Sequence, residues 1–303
     1  MFKKGFYATV KLIRTKKKPE NMLDRETEQK ILKAVSKEPR TVLEVSKIIG
    51  KSWRTTSTYI ETLKKETGLI GIKLIKQGNR NAVKIVYPVS QELFQEDAVQ
   101  KRLEDAIIHS YKKTDFSPFD IYQYVDSNKR NSFIERQKEN IFNINKNLAG
   151  QLLEAKEEIL VFSGDFSWIN LFLGEKSFAE IFAELARKNI QIKVLANVDV
   201  GTIENIERTV QLNSMIGKRR IEVRHSQQAL RGFIVDRKLA RFREIKNIRD
   251  LDRASKSKSY IFYEIFDKNW VEWLTKLFYK LFSTSIGAET RISNLRSIKK
   301  INE

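Results

Sequence analysis

The sequence predicts an α+β unit in its first third, a helical connector, and an α/β unit beyond it. Three observations predict this. Between Thr41 and Val89, two stretches of helical periodicity separated by Gly50 run into two β-rich segments joined by a Gly/Asn turn. From Glu158 onward, apolar runs of strand length alternate with amphipathic stretches, the pattern of a sheet carrying helices on its faces. Charge divides the chain as well. The 303 residues carry a net charge of +19, and Met1–Tyr87 alone holds 21 basic against 8 acidic residues, a net +13.

In the first unit, Glu26 to Val35 places Ile31, Leu32 and Val35 on one side of a first helix. Val42, Val45, Ile48 and Ile49 give a second, short helix that Gly50 stops. Ser52 then caps a third, Trp53 to Thr67, on which Trp53, Thr56, Ile60 and Leu63 are expected to pack. Arg54, Thr55, Ser57, Thr58 and Tyr59 are left on or near the outer side. The runs 69–76 and 83–87 flank Gln77-Gly78-Asn79-Arg80-Asn81, a turn of φ-permissive residues. This order resembles the winged helix-turn-helix family over residues 27 to about 89, and the resemblance implies a second helix of the motif that enters the DNA major groove. Some modules of this kind bind proteins instead, and the +13 charge argues for the polyanion.

The resemblance and the residue chemistry together nominate a DNA-contacting set. Ser52, Arg54, Thr55, Ser57 and Thr58 face the groove, where arginine bonds guanine with two donors and hydroxyls reach base edges or phosphate. Lys51 and Lys64 are expected on phosphates, and Lys76, Asn79 and Arg80 form the tip and flank of the wing. Residues 1–26 form a basic arm with lysines at 3, 4, 11 and 16 to 18, read equally as a solvated extension or as a strand of charge lying on phosphates.

Bulk composition excludes other classes. With 41% apolar residues and four prolines the chain can bury a full core. Zero cysteines exclude disulfides, iron–sulfur clusters and zinc fingers, and no metal or other cofactor is expected. No uncharged run approaches 18 residues, so no membrane partner is expected. The start lacks the continuous apolar core of a signal peptide, which predicts a cytoplasmic, nucleoid-associated protein.

Residues 90–157 read as the connector. Acidic residues enter at Glu92, Glu96, Asp97, Glu104 and Asp105, and His109 stands alone with no ligand-spaced partner. Asn128 to Glu158 lacks proline, and Ile134, Ile141, Leu148 and Ala155 recur every seven residues. Two readings fit that repeat, a helix pairing two copies into a homodimer and a helix packed within one chain.

Residues 158–284 form the second unit, and 285–303 are expected as a basic tail. Strands are predicted at 159–163, 190–197, 220–225, 232–236, 239–242 and 260–265, with helices over 178–188 and 202–215 and around Trp270 to Leu281. The segment Ala229-Leu230-Arg231-Gly232-Phe233-Ile234-Val235-Asp236 resembles the signature strand of the phospholipase D superfamily, a His, a Lys two residues on and an Asp five beyond that. Asp236 matches the Asp; Arg231 stands at the Lys position and Ala229 at the His position. Alanine supplies neither nucleophile nor acid, and His225 is out of register for the motif, so no catalysis is expected.

A winged helix joined by helices to a degenerate phospholipase-D-like unit resembles the TrmB-like archaeal transcriptional regulators. The resemblance implies a DNA-binding regulator whose second domain senses a small-molecule effector or mediates dimerisation. Ser163, Asp165, Arg231 and Asp236 are the candidate cleft residues, although an internal Arg231–Asp236 ion pair is the favoured reading of those two. The alternative is an abundant chromatin-type protein with little sequence preference, which the run 237–258, rich in lysine and arginine, also suits. A phospholipase-D-type nuclease and a binder of structured RNA are lesser readings.

Overall fold

The computed structural model describes residues 23–77, 81–89, 96–136, 146–173, 175–246 and 259–301. In the first unit, α1 (Arg25–Lys37) is capped by Asp24, and the short strand β1 (Arg40–Thr41) leads into α2 (Val42–Ile49). Thr41 and Glu44 close a reciprocal capping box at the start of α2. Gly50 ends that helix at φ 67°, a left-handed conformation that a side chain disfavours. Ser52 caps α3 (Trp53–Thr67) by accepting the Thr55 N–H at 3.1 Å. Two strands follow, β2 (Ile70–Gln77) and β3 (Asn81–Pro88), paired antiparallel with β1 on the outer edge of β3.

Two inner faces are rotated from their expected places. On α3 the buried residues are Thr56, Tyr59, Ile60 and Leu63, while Trp53 is 47% exposed. At about 100° per residue the stripe centres between Thr56 and Leu63, bringing Tyr59 in and leaving Trp53 at its margin. On α2 the same rotation buries Ser46 and exposes Ile48.

After the first unit come α4 (Glu96–Ile108) and α5 (Phe119–Tyr122), the latter a single short turn. The seven-residue repeat does not form one helix. Ile134 sits in a strand, β4 (Arg130–Arg136), and helix α6 (Lys146–Leu153) forms separately, with Ile141 outside the described residues. Ile134 alternates with Phe133 and Glu135 across a sheet, and a period of two cannot be told from one contact in seven when only one residue is sampled. The expected dimer helix is therefore lost, and with it the sequence argument for a homodimer.

The second unit is built on one sheet. In chain order come β5 (Glu158–Phe162), the small hairpin β6 (Phe172–Leu173) and β7 (Lys176–Ser177), α7 (Phe178–Arg187), β8 (Gln191–Ala196), α8 (Ile203–Ile216) and β9 (Ile221–His225). Then follow β10 (Gly232–Val235), β11 (Leu239–Lys246), β12 (Ser259–Ile265), α9 (Lys268–Thr284), β13 (Ile286–Gly287) and α10 (Ala288–Ile301). The eight-stranded sheet has the order β13-β9-β8-β5-β10-β11-β12-β4, parallel at β9-β8-β5 and antiparallel elsewhere. Residues 285–303, expected as a tail, instead supply β13 and α10, whose Ala288 and Ile292 are buried.

Each face of the sheet carries its own core. Ile159 and Val161 point toward α6, α7 and α8, whereas Leu160 and Phe162 point toward α4 and α9. The two units meet in a third cluster. Ile75, Val83 and Ile85 of the hairpin pack with Phe119, Tyr122, Ile134, Ile261 and Tyr263, so β2 and β3 rest on β4 and β12. Phe119 lies at the junction, 5.1 Å from the Tyr87 ring and 5.9 Å from the Tyr263 ring, centroid to centroid.

Candidate functional site

The outer side of α3 is the first candidate. Lys51, Ser52, Arg54, Thr58 and Lys64 are exposed there, and Thr55 and Ser57 are half-buried. Several of the hydroxyls already have work to do. Ser52 Oγ caps the helix and lies 2.9 Å from Thr55 Oγ1, and Thr58 Oγ1 donates to the Arg54 carbonyl at 3.1 Å. Lys84 of β3 reaches over, donating to Ser57 Oγ at 3.4 Å and Glu61 at 3.0 Å. Lys84 was missed by reading the helix alone, because only the antiparallel fold-back of β3 brings it to α3. Trp53 at the start of α3 and Lys47 of α2 are exposed as well. Asn79, Arg80 and the Lys76 side chain fall outside the described residues.

The proposed cleft residues do not all meet. Ser163, Asp165 and Arg231 gather at the carboxyl end of β5. Ser163 is buried and its hydroxyl accepts the Trp168 indole N–H at 2.9 Å, while its carbonyl accepts from Gln228 at 2.7 Å. Asp165 accepts from the Ser167 N–H and hydroxyl at 3.2 and 2.9 Å. Arg231 donates to the Gln228 and Leu230 carbonyls at 2.6 and 2.7 Å.

Asp236 stands at the other end of the strand pair, which corrects the expected ion pair. β10 runs antiparallel to β5, with Gly232 opposite Phe162 and Val235 opposite Ile159. Five residues of extended chain separate Arg231 from Asp236, roughly 16 Å at strand rise. The Asp236 carboxylate instead accepts three backbone N–H groups, from Lys156, Glu157 and Glu158, at 2.8 to 3.1 Å. It therefore staples the turn before β5. Ala229 is buried in the core on the α9 face. His225 Nδ1 accepts the Val198 N–H at 3.0 Å, and burial, helped by Arg291, holds the imidazole below its usual range.

A cavity that the sequence did not announce opens on the α6 and α7 face of the sheet. Alternation puts Arg231 and Phe233 of β10, Arg241 and Arg243 of β11, and Phe262 of β12 on this face, walled by Leu148, Leu152, Trp168, Phe178 and Phe182. It is half open and holds about 80 Å³. Arg241 is 1% exposed, lies against the stacked rings of Phe133 and Phe262, 4.7 and 4.9 Å from their centroids, and reaches Glu264 at 3.5 Å and Gln151 at 3.2 Å. Among the described residues its Nε and Nη2 have no hydrogen-bond partner. Burial lowers all three arginines from their ordinary value, Arg231 to about 10, and for Arg231 the neighbouring Arg243 adds to the effect.

Comparison with known proteins gives no family. No family model matches the chain, and no curated protein matches it. Among solved structures it is similar to TrmBL2, an archaeal chromatin protein whose structure shows a novel mode of DNA binding, at 17% identity over 87% of this chain and 94% of that one, TM-score 0.37. Nuc, a phospholipase D family member from Salmonella typhimurium, is 8% identical over 52% of this chain and 97% of that one, TM-score 0.37. NucT from Helicobacter pylori is 9% identical over 52% of this chain and 99% of that one, TM-score 0.37. Among the described residues, no helix is long and apolar enough to cross a membrane, and no group of three or more His, Asp or Glu is placed to hold a metal ion.

Proposed function

We propose that the chain is a DNA-binding transcriptional regulator, with residues 27–89 acting as a winged helix-turn-helix and the second unit as a catalytically inactive sensor or oligomerisation domain. One observation carries the reading. The outer side of α3, capped by Ser52 and backed by a buried inner stripe, presents Arg54, Thr58 and Lys64 to solvent in a unit whose sequence is strongly basic. Arg54 is the base reader, since its fork matches two guanine acceptors; Lys51, Lys64 and Lys47 bind phosphate. The absence of any imidazole in the degenerate motif supports the inactive second unit.

A second reading, a chromatin-type coat, is favoured by the engagement of Ser52, Thr55, Ser57 and Thr58 in local hydrogen bonds, which leaves few side chains for base readout. Selection of bound genomic fragments at moderate salt, followed by footprinting, separates the two. A short recurrent footprint establishes the regulator; uniform recovery of all fragments establishes the coat and overturns the regulator.

A further inference from the structure

We infer that the arginine-lined cavity of the second unit is a binding site for a small organic monoanion, a short-chain carboxylate whose acid group meets Arg231 and Arg243 and whose hydrocarbon end enters the aromatic wall. The inference stands on the cavity and does not require the DNA reading.

Geometry fixes the polar end. Arg243 and Arg231 are bonded neighbours across β10 and β11, the Arg243 N–H donating to the Arg231 carbonyl at 2.8 Å. Both side chains are half-buried and line the cavity. Arg231 spends Nη1 on two carbonyls, and its Nε and Nη2 lie against Gly164, where a β-carbon would sit 2.7 and 2.9 Å from them. The glycine thus leaves room for the guanidinium. Arg243 leans over Tyr260 at 5.6 Å, and the described residues give its guanidinium no hydrogen-bond acceptor.

Charge fixes the valence. Arg241 is paired with Glu264, and Glu135 adds a second, more distant carboxylate. Arg231 and Arg243 feel one carboxylate, Asp165, whose Oδ1 is committed to Ser167. At this end of the cavity two guanidiniums meet one carboxylate, a local excess that a monoanion cancels, while Arg241 with Glu264 and Glu135 leaves no positive charge for a second anionic group. Burial makes that excess costly until it is paired.

Volume and wall fix the body. About 80 Å³ of space in a half-open pocket suits a branched chain of three or four carbons. Phe178, Phe182, Leu148 and Leu152 offer that chain no hydrogen bond, so the ligand carries its polarity at one end.

The test uses the full chain, with isobutyrate titrated by calorimetry and by the fluorescence of Trp168, compared against a Trp168→Phe control. Saturable binding at one site, about tenfold or more weaker for the uncharged isobutyramide, is the expected result. Arg243→Gln should weaken isobutyrate by a similar factor without lowering the melting temperature of the ligand-free chain. Gly164→Ala should do the same by displacing Arg231, so that two independent substitutions report on the polar end. Equal binding of the amide, tighter binding of inorganic phosphate, or no heat and no fluorescence change with isobutyrate up to high millimolar concentration would each overturn the assignment.

Discussion

Arg54 on α3 and Arg241 on β11 carry the same guanidinium into opposite surroundings. Arg54 is exposed, on a helix whose shape is already set by its caps and its inner stripe, so nothing in the fold depends on its charge. Arg241 is buried against two stacked aromatic rings and one carboxylate, contributed by β4 and β12. The difference teaches where charge is available to a partner and where it is already committed. An exposed cation gains affinity for any polyanion at little folding cost, whereas a buried one is selective because it has been desolvated beforehand.

The sharpest way to break this comparison is to truncate the buried member. Arg241→Ala leaves Glu264 as an unpaired charge at 5% exposure and should cost about 3–5 kcal/mol of stability in urea denaturation. Replacing both, Arg241→Met with Glu264→Leu, should recover most of that loss. A double variant as unstable as the single one would mean that the rings, and not the ion pair, hold Arg241 in place.

Asp236→Ala comes next. Three N–H groups lose a charged acceptor and a left-handed backbone position at φ 49° receives a β-branchless but disfavoured residue, for a loss of about 2–3 kcal/mol by the same assay. Arg54→Ala should leave stability within about 0.5 kcal/mol and instead weaken a selected DNA site by about 1–3 kcal/mol, with little change on random DNA, as read by competition binding. Equal losses on both DNAs would make Arg54 a phosphate contact. Thr41→Ala removes the capping box of α2 and should cost about 1 kcal/mol, visible as a lowered urea midpoint.

The smallest effect is on pH. Burial keeps His225 below the ordinary 6.5, so the folded chain holds a neutral imidazole where the unfolded chain takes up a proton. Its contribution is complete above about pH 6.5 and is lost as pH falls through the lowered folded value. Melting temperatures of the wild type and His225→Gln, compared from pH 7.5 to 4.5, should converge toward the acid end. Parallel curves would show that His225 contributes no pH dependence.

Much of this architecture was legible in the sequence, for reasons that vary by element. Gly50 and Ser52 marked a helix stop and start because those positions make local demands that few residues meet. The alternating strands from 159 to 265 were legible because apolar runs bounded by turn residues admit few other structures. Ile134 misled because one apolar residue at a heptad position says nothing of its neighbours' direction. The arginine cavity was invisible for a different reason. Arg241 and Arg243 read as members of a basic run, and only the register of β10 and β11 puts them on the same sheet face as Arg231. Arg231 and Asp236 were expected together because they share a motif, yet a strand holds its two ends apart.

The packing of the hairpin on β4 and β12 has a mechanical consequence. Tyr263 and Ile261 press on the hairpin side, while Phe262 and Glu264 of the same strand face the arginine cavity. Only the thickness of that single strand separates the two. Phe119, wedged between Tyr87 and Tyr263, joins the units through its ring. Reorienting the first unit on the second would therefore cost the ring contacts of Phe119 and the burial of Ile75, Val83 and Ile85.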